Sequence, residues 1–195
     1  MENTPKIRRK IQILPKKAAG FAFNERIRIT LSWATDTDLD LCAFYKRKDG
    51  SVGGVFSNEY RQKKSDLGYL DKFPFIKHSG DAKEPVEGAE SSEEIRIANL
   101  DNMDSVYLVI INFTAAFNET SVTFNEHSGK LELRSDIEDE DDLEINVDST
   151  DEGQVYYIGK ISKEDDTYIL YNEGRVMDLG DAVDEIPGFS LITKS

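Results

Sequence analysis

The chain has 195 residues, of which 38% are hydrophobic and 32% are charged. This length suits one ordinary domain, and the composition excludes collagen-like, low-complexity and fully disordered proteins. Its 24 basic and 38 acidic residues give a formal net charge of −14, so the protein as a whole repels nucleic acid, and we expect no nucleic-acid partner. The longest apolar run, residues 106–113, is far shorter than the roughly 20 residues of a membrane-spanning helix, so we expect no membrane span.

The single cysteine, Cys42, cannot form an internal disulfide, and the sequence holds no cysteine or histidine cluster of the kind that binds zinc. Residues 1–10 are basic, but the apolar segment of a secretory signal does not follow them. We therefore expect a cytoplasmic protein. Cys42 alternates with Asp40 and Phe44, which predicts a buried and unreactive thiol.

Short runs of alternating or β-branched residues, separated by turn residues, dominate the sequence. They predict nine strands, at residues 26–33, 39–47, 53–57, 94–100, 106–113, 121–125, 130–134, 154–162 and 167–171. Residues 143–147 alternate in the same way and indicate one more half-buried strand. Because no helices alternate with these strands, we predict an all-β fold, an antiparallel β-sandwich with long acidic loops. The strand at 106–113 is apolar on both faces, which predicts a central strand covered on both sides.

Three short connections have the composition of hairpin loops. Asp49-Gly50 suits a two-residue turn, because Gly adopts positive φ without a steric cost. The segments 127–129 and 164–166 predict slightly longer hairpin loops. We expect residues 1–10 to form a basic N-terminal arm, 11–179 the sandwich domain and 180–195 a C-terminal tail.

Asp36, Asp38 and Asp40 recur at every second position where the second predicted strand begins. In an extended strand the neighbours lie about 6.6 Å apart and the outer pair about 13 Å apart, so either the loop bends or two ions are bound. Each neighbouring pair of carboxylates repels by about 2.5 kcal/mol at an effective dielectric constant of about 20. A hard, oxygen-preferring cation such as Ca²⁺ removes that repulsion. The alternative is a solvated acidic loop in which Asp38 caps turn amides.

A second acidic loop begins with His78-Ser79-Gly80-Asp81 and ends with Glu93 and Glu94, directly before a predicted strand. Together with the aspartate triplet and the preceding strand that ends in Trp33, this loop resembles the TerD (tellurium-resistance) family of bacterial stress proteins. The segment 55–58 and the two strands at 154–162 and 167–171 are also similar to that family. The likeness covers about residues 11–171.

This resemblance implies a calcium-binding β-sandwich without catalytic activity, which acts in resistance to tellurite and other chemical or metal stress. Calcium ions and other stress-response proteins are the partners that it implies. Matching the family's motifs residue by residue assigns six metal ligands, which are Asp36, Asp38, Asp40, Asp81, Glu93 and Glu94. Ala82 and Pro85-Val86 depart from the family's Asn and glycine-rich pattern, and this implies the loss of one ion site or a weaker affinity. We expect at least one site to remain.

Carboxylate pairs also serve as general acid and base, as in glycoside hydrolysis. Acidic residues are so abundant here that such a pair arises easily by coincidence. His78 and His127 have no Ser or Cys nucleophile at a diagnostic spacing, and we expect both on the surface. We therefore expect no catalytic residues, and a protein that is not an enzyme.

Residues 135–152 form an acidic block of ten acidic residues and no basic residue. This block is either a charge-rich connection that keeps the protein soluble or a docking surface for a basic partner. The basic residues near the N-terminus could fold back on the block within one molecule or reach a neighbouring molecule; they are Lys6, Arg8, Arg9, Lys10, Lys16 and Lys17. The alternative function is thus a metal-independent protein-interaction module that uses an acidic surface and a basic arm.

Overall fold

The structure is a computed structural model that describes residues 8–82 and 90–193. Its described strands are, in chain order, β1 (Lys10–Gln12), β2 (Ala18–Phe21), β3 (Ile27–Trp33), β4 (Leu39–Arg47), β5 (Val52–Val55), β6 (Gly68–Tyr69), β7 (Ile76–His78), β8 (Ser91–Ile97), β9 (Met103–Asn112), β10 (Val122–Thr123), β11 (Gly129–Ser135), β12 (Asp142–Val147), β13 (Glu152–Gly153), β14 (Val155–Glu164) and β15 (Thr167–Met177). The described helices are α1 (Phe113–Asn118) and α2 (Leu179–Glu185), with 3-10 turns at Asn125–His127 and Phe189–Leu191.

Two large sheets pack face to face. The seven-stranded sheet has the order β1-β12-β11-β3-β8-β7-β6, and the six-stranded sheet has the order β2-β15-β14-β9-β4-β5. Among the described residues, β1 and β12 form the one parallel pair, and the other paired strands are antiparallel. This arrangement confirms the predicted antiparallel β-sandwich. Each of the nine predicted strands overlaps a strand of the structure, and the tenth, at 143–147, corresponds to β12.

The core between the sheets follows from the alternation within the strands. In β3 the apolar residues Ile27, Ile29 and Leu31 are fully buried, whereas the residues between them are exposed or half-buried. Successive side chains of a strand point to opposite faces, so one face of β3 lies in the core and the other faces water. Leu39 and Leu41 of the opposite sheet belong to the same buried cluster.

A second apolar cluster lies on the outer face of the six-stranded sheet. In β9, Leu108 and Ile110 belong to the core between the sheets, and Val109 and Ile111 belong to the outer cluster, so the strand is buried on both sides as its sequence predicts. The segment 179–192 covers this outer cluster, and its Phe189 is fully buried. The C-terminal residues described here thus pack on the sandwich.

The connections confirm two of the three predicted hairpins. Strand β4 pairs with β5 around Asp49-Gly50, and β14 pairs with β15 next to Asp165-Asp166. The hairpin predicted around residues 127–129 is wrong, because β10 pairs with β13, whereas β11 pairs with β3 and β12. Phe124 and His127 are buried, so this segment turns into the protein through a 3-10 turn and does not reverse direction at the surface.

The acidic block of residues 135–152 receives the basic residues 8–10 of the same molecule. Strand β1 pairs with β12 inside the block, with Lys10 opposite Asp142. Arg8 lies 3.1 Å from Asp142, and Arg9 lies 2.7 Å from Asp141. Of the two arrangements open to the basic residues, the structure shows the intramolecular one for residues 8–10.

Neither described helix is long and apolar enough to cross a membrane.

Candidate metal centre

Three carboxylates from separate segments meet beside the start of β4. Asp40 lies on β4 of the six-stranded sheet, Glu93 lies on β8 of the seven-stranded sheet, and Asp81 lies in the segment after β7. Each contributes one oxygen atom, and these three atoms all lie within 4.8 Å of one another. Asp40 and Glu93 are buried, whereas Asp81 is exposed, so the group is enclosed on one side and open to solvent on the other.

The edge of β4 explains why Glu93 and His78 lie here. Pairing between β4 and β5 stops at Ala43, which leaves the backbone of Leu41 without a partner strand on that side. The side chain of Glu93 accepts a hydrogen bond of 2.7 Å from the Leu41 N–H through Oε2. His78 occupies the neighbouring position and satisfies the Leu41 carbonyl at 2.8 Å. Buried backbone groups require such partners, so these two side chains replace a missing strand.

The contacts of His78 assign a hydrogen-bonding role to each of its ring nitrogens. The backbone N–H of Gly80 donates to Nδ1 at 2.9 Å, so Nδ1 is an acceptor, and Nε2 donates to the Leu41 carbonyl. Nε2 also lies 3.4 Å from Oε2 of Glu93. A nitrogen that donates in this way is not free to bind a metal. His78 therefore positions the loop of Asp81 and orients Glu93.

The expected surface positions of both histidines are wrong. His78 is only 1% exposed, because it ends β7 on the same face as the buried Ile76. His127 is 7% exposed, and its Nδ1 lies 3.0 Å from the Thr35 hydroxyl. Burial lowers the pKa of His127, although the charge of Glu126 opposes this effect.

The carboxylate of Asp40 is only partly satisfied by the protein. Its Oδ1 accepts hydrogen bonds from the hydroxyl of Ser57 and from the side-chain amide of Asn58, the latter at 3.2 Å. Its Oδ2 is buried and, among the described residues, has no hydrogen-bond partner. A buried polar oxygen without a partner is costly, and a bound cation is one means of satisfying it.

Electrostatic repulsion is concentrated on the same group. Burial, followed by the charge of Glu93, raises the pKa of Asp40 to about 8, although the hydrogen bond from Ser57 opposes this effect. Desolvation, followed by the charges of Asp81 and Glu93, also raises the pKa of Asp38. The negative charges therefore disfavour one another in the metal-free protein, and a cation between them would reverse that effect.

A cavity of about 510 Å³ lies on the exposed side of the group, next to Asp81. Asp38 and Asp81 lie in its wall, together with Asn58, Phe113 and Phe117. This cavity gives solvent access to the exposed side of the group. Water or a small molecule in this cavity can therefore reach the carboxylate of Asp81.

The structure brings some of the six predicted ligands together and places others elsewhere. Asp40, Asp81 and Glu93 form the group, and Asp38 interacts with it electrostatically. The loop before β4 bends at residues 34–37, so the triplet does not lie on one straight strand, and Asp36 is exposed and outside the group. Glu94 points to the opposite face of β8.

There the carboxylate of Glu94 forms ion pairs with Arg28, at 2.9 Å, and with Arg96. The alternation of side chains along β8 accounts for this, because Glu93 lies on the same face as the buried Ile95 and Ile97, and Glu94 therefore lies on the other.

The departures from the TerD-like pattern at Pro85-Val86 lie outside the described residues. The roles of His78, Ser57 and Asn58 were missed, since no spacing pattern in the sequence indicates them.

The group consists of hard oxygen donors from carboxylates, with a hydroxyl and an amide beside them. This donor set suits Ca²⁺ or Mg²⁺ and does not suit soft metals that prefer sulfur. The chain matches no protein-family model, and a search of the curated proteins finds no match either.

Proposed function

We propose that this protein is a non-catalytic, calcium-binding β-sandwich protein that holds its ion between Asp40, Asp81 and Glu93, with Asp38 at the rim. One observation carries the proposal. The buried Oδ2 of Asp40 has no hydrogen-bond partner among the described residues, and two more carboxylates lie beside Asp40. A divalent cation would supply the missing interaction and neutralise the repulsion between them.

The geometry of the group is compatible with calcium. Ca²⁺ binds oxygen at 2.3–2.6 Å, so two ligands of one ion lie at most about 5 Å apart. The three carboxylate oxygens lie within 4.8 Å of one another. Calcium takes six to eight ligands in flexible geometry, and the open side next to Asp81 leaves room for water to supply the rest.

The biological part of the proposal is a role in stress resistance. The motifs that support it are the aspartate triplet and the His-Ser-Gly-Asp loop, whose order and spacing resemble the TerD family. Asp40 and Asp81 are the members of these motifs that belong to the carboxylate group. On this basis we propose a cytoplasmic protein of chemical or tellurite stress resistance, with calcium as its ligand.

Thermal unfolding with calcium, with magnesium and with a chelator tests the proposal. At a calcium concentration of about one hundred times the dissociation constant, binding to the folded state alone adds about 2.7 kcal/mol to the free energy of unfolding. Asp40→Asn should abolish this increase. Glu94→Gln is the matched control. Glu94 is the next residue of β8 and its carboxylate lies on the opposite face of the sheet, so this substitution should leave calcium binding unchanged.

Melting temperatures that are the same with calcium and with chelator would refute the metal site. That result would favour the alternative, a metal-independent interaction module. The ion pairs of Arg8 and Arg9 already engage part of the acidic block, which weakens the case for this block as a surface for another molecule.

A further inference from the structure

A row of four positive charges crosses the outer face of the seven-stranded sheet. The register places these residues directly opposite one another on β7, β8, β3 and β11, and they are Lys77, Arg96, Arg28 and Arg134. Like charges at directly opposite positions destabilise a sheet. Such a row therefore needs negative charge beside it, from the protein or from a ligand.

Acidic neighbours compensate the row only in part. Glu94 forms ion pairs with Arg28 and with Arg96. Asp142 lies 3.9 Å from Arg134, but it lies closer, at 3.1 Å, to Arg8. The side chain of Arg134 is 54% exposed, so most of its hydrogen-bond donors face water.

Two residues of the row also line a cavity of about 270 Å³. Four arginines line this cavity, which we call the arginine pocket, and they are Arg8, Arg26, Arg28 and Arg134. Within the described part of the chain, the Arg26 side chain makes no hydrogen bond and no ion pair. Arg8 is fixed in place, because it donates hydrogen bonds to the backbone carbonyls of Ser135 and Ile137.

One acidic residue, Asp136, also lines the arginine pocket. Its carboxylate accepts hydrogen bonds from the backbone N–H groups of Asn24 and Glu25, at 2.9 and 2.7 Å. Partial desolvation raises the pKa of Asp136, but these backbone bonds outweigh it and the net pKa lies below the ordinary value. The carboxylate of Asp136 thus accepts hydrogen bonds from the backbone of the β2–β3 connection, and within the described ranges it forms no ion pair with the arginines of the pocket.

We propose that the arginine pocket binds the phosphate group of a small phosphorylated ligand. The planar fork of a guanidinium group matches phosphate oxygens in pairs, and a phosphate would supply an anion for Arg26, which has no ion pair among the described residues, and for Arg134, whose one acidic neighbour is closer to Arg8. The cavity is near the lower limit of small-ligand pockets, which favours one phosphate-bearing group. This site lies on the outer face of the sheet and does not depend on the metal centre.

Titration of the full-length protein with inorganic phosphate at constant ionic strength tests the proposal. Isothermal titration calorimetry and the arginine Nε–H signals in NMR should both show saturable binding. The double variant Arg26→Ala/Arg134→Ala should weaken the affinity by about tenfold or more, because a hydrogen bond to a charged group contributes about 1.5–3 kcal/mol. Arg26 has no ion pair within residues 8–82 and 90–193, and the one ion pair of Arg134 is long, at 3.9 Å, so the variant loses little of the native structure, and a thermal melt verifies that it folds.

Arg47→Ala is the matched control, because Arg47 is a partly exposed arginine of the other sheet. It should leave phosphate binding unchanged. Equal phosphate affinity in the double variant and in the unchanged protein would overturn the proposal, as would a response that chloride reproduces. A phosphoserine peptide that binds tenfold more tightly than phosphoserine itself would identify a protein as the ligand and overturn the assignment to a small molecule.

Discussion

The side chain of Glu93, in the seven-stranded sheet, accepts a hydrogen bond of 2.7 Å from the backbone N–H of Leu41, in the six-stranded sheet. Its other oxygen accepts a hydrogen bond of 3.1 Å from the N–H of Ala82, next to Asp81. One carboxylate thus connects both sheets with the loop that carries another member of the group. Glu93 consequently has a structural role and, in our proposal, a metal-binding role, and the two can be separated by mutation.

The substitution Glu93→Gln separates them in part, because glutamine carries no charge and retains one oxygen for the Leu41 hydrogen bond, whereas its amide nitrogen cannot accept the hydrogen bond from Ala82. We expect the metal-free variant to be destabilised less than a Glu93→Ala variant, since the Leu41 hydrogen bond is kept and the repulsion with Asp40 is removed, while the hydrogen bond from Ala82 is lost. Calcium affinity should fall by about tenfold or more, as a charged interaction contributes about 1.5–3 kcal/mol. Urea denaturation with chelator and calorimetric calcium titration measure the two effects.

Glu93→Ala is the control for the structural role. It leaves the buried N–H of Leu41 without its acceptor and should lower the free energy of unfolding by about 1–3 kcal/mol. If Glu93→Gln destabilises the metal-free protein as much as Glu93→Ala does, then charge repulsion within the group is insignificant.

The stability of the metal-free protein should fall as the pH rises. The pKa of Asp40 is about 8 in the folded protein and near 3.8 for an ordinary aspartate, so the folded state binds more protons between these values. The free energy of unfolding therefore decreases from about pH 4 to about pH 8, by at most about 1.4 kcal/mol per pH unit. Urea denaturation in chelator at pH 5.5 and at pH 8 measures this difference.

Asp40→Asn provides the comparison, because asparagine does not titrate and should flatten this part of the pH dependence. Calcium affinity of the unchanged protein should rise over the same pH range, since the cation competes with the proton on Asp40. A metal-free protein that is more stable at pH 8 than at pH 5.5, with the same trend in the variant, would contradict the prediction.

His78→Ala should reduce both stability and calcium affinity. The substitution removes the donor to the buried carbonyl of Leu41, which costs about 1–3 kcal/mol, and it removes the acceptor of the Gly80 N–H. Without that second bond the loop that carries Asp81 is less well positioned. Chemical denaturation and calcium titration test the two effects, and Lys77→Ala, an exposed neighbour on the opposite face of β7, is the control.

Cys42 should be inert in the folded protein. Its thiol is fully buried, and burial, followed by the charges of Asp40 and Glu93, raises the pKa of the thiol well above its ordinary value. A chromogenic disulfide reagent should therefore label the thiol only in denaturant. Rapid stoichiometric labelling of the native protein would show that the outer cluster opens readily.

The fold could be predicted from the sequence because alternation within a strand records which face is buried. Ile27, Ile29 and Leu31 show this in β3, and the two apolar faces of residues 106–113 identified the central strand. The hairpin at residues 127–129 was predicted wrongly because its local turn composition is overridden by the burial of Phe124. Tertiary packing of one aromatic side chain outweighs a turn signal of three residues.

The candidate site was predicted less completely, because it forms where three distant segments meet. The recurrence of aspartate at every second residue could not predict the position of Asp36, since β4 begins only at Leu39 and the chain bends at residues 34–37. In β8 the same alternation does distinguish Glu93 from Glu94, because the apolar Ile95 identifies the buried face and Glu93 lies on it. The role of His78 depends on where pairing between β4 and β5 ends, and no local pattern contains that information.

The cover over the outer apolar cluster has a practical consequence for handling the protein. Phe189 packs against Phe44, with ring centroids 5.3 Å apart, above a sheet face that also carries Val109 and Ile111. A polypeptide that stops at residue 178 would expose this face to water, and contiguous apolar patches of that kind promote aggregation. Expression boundaries and C-terminal tags should therefore leave residues 179–192 intact, or the shortened protein will be recovered as a precipitate.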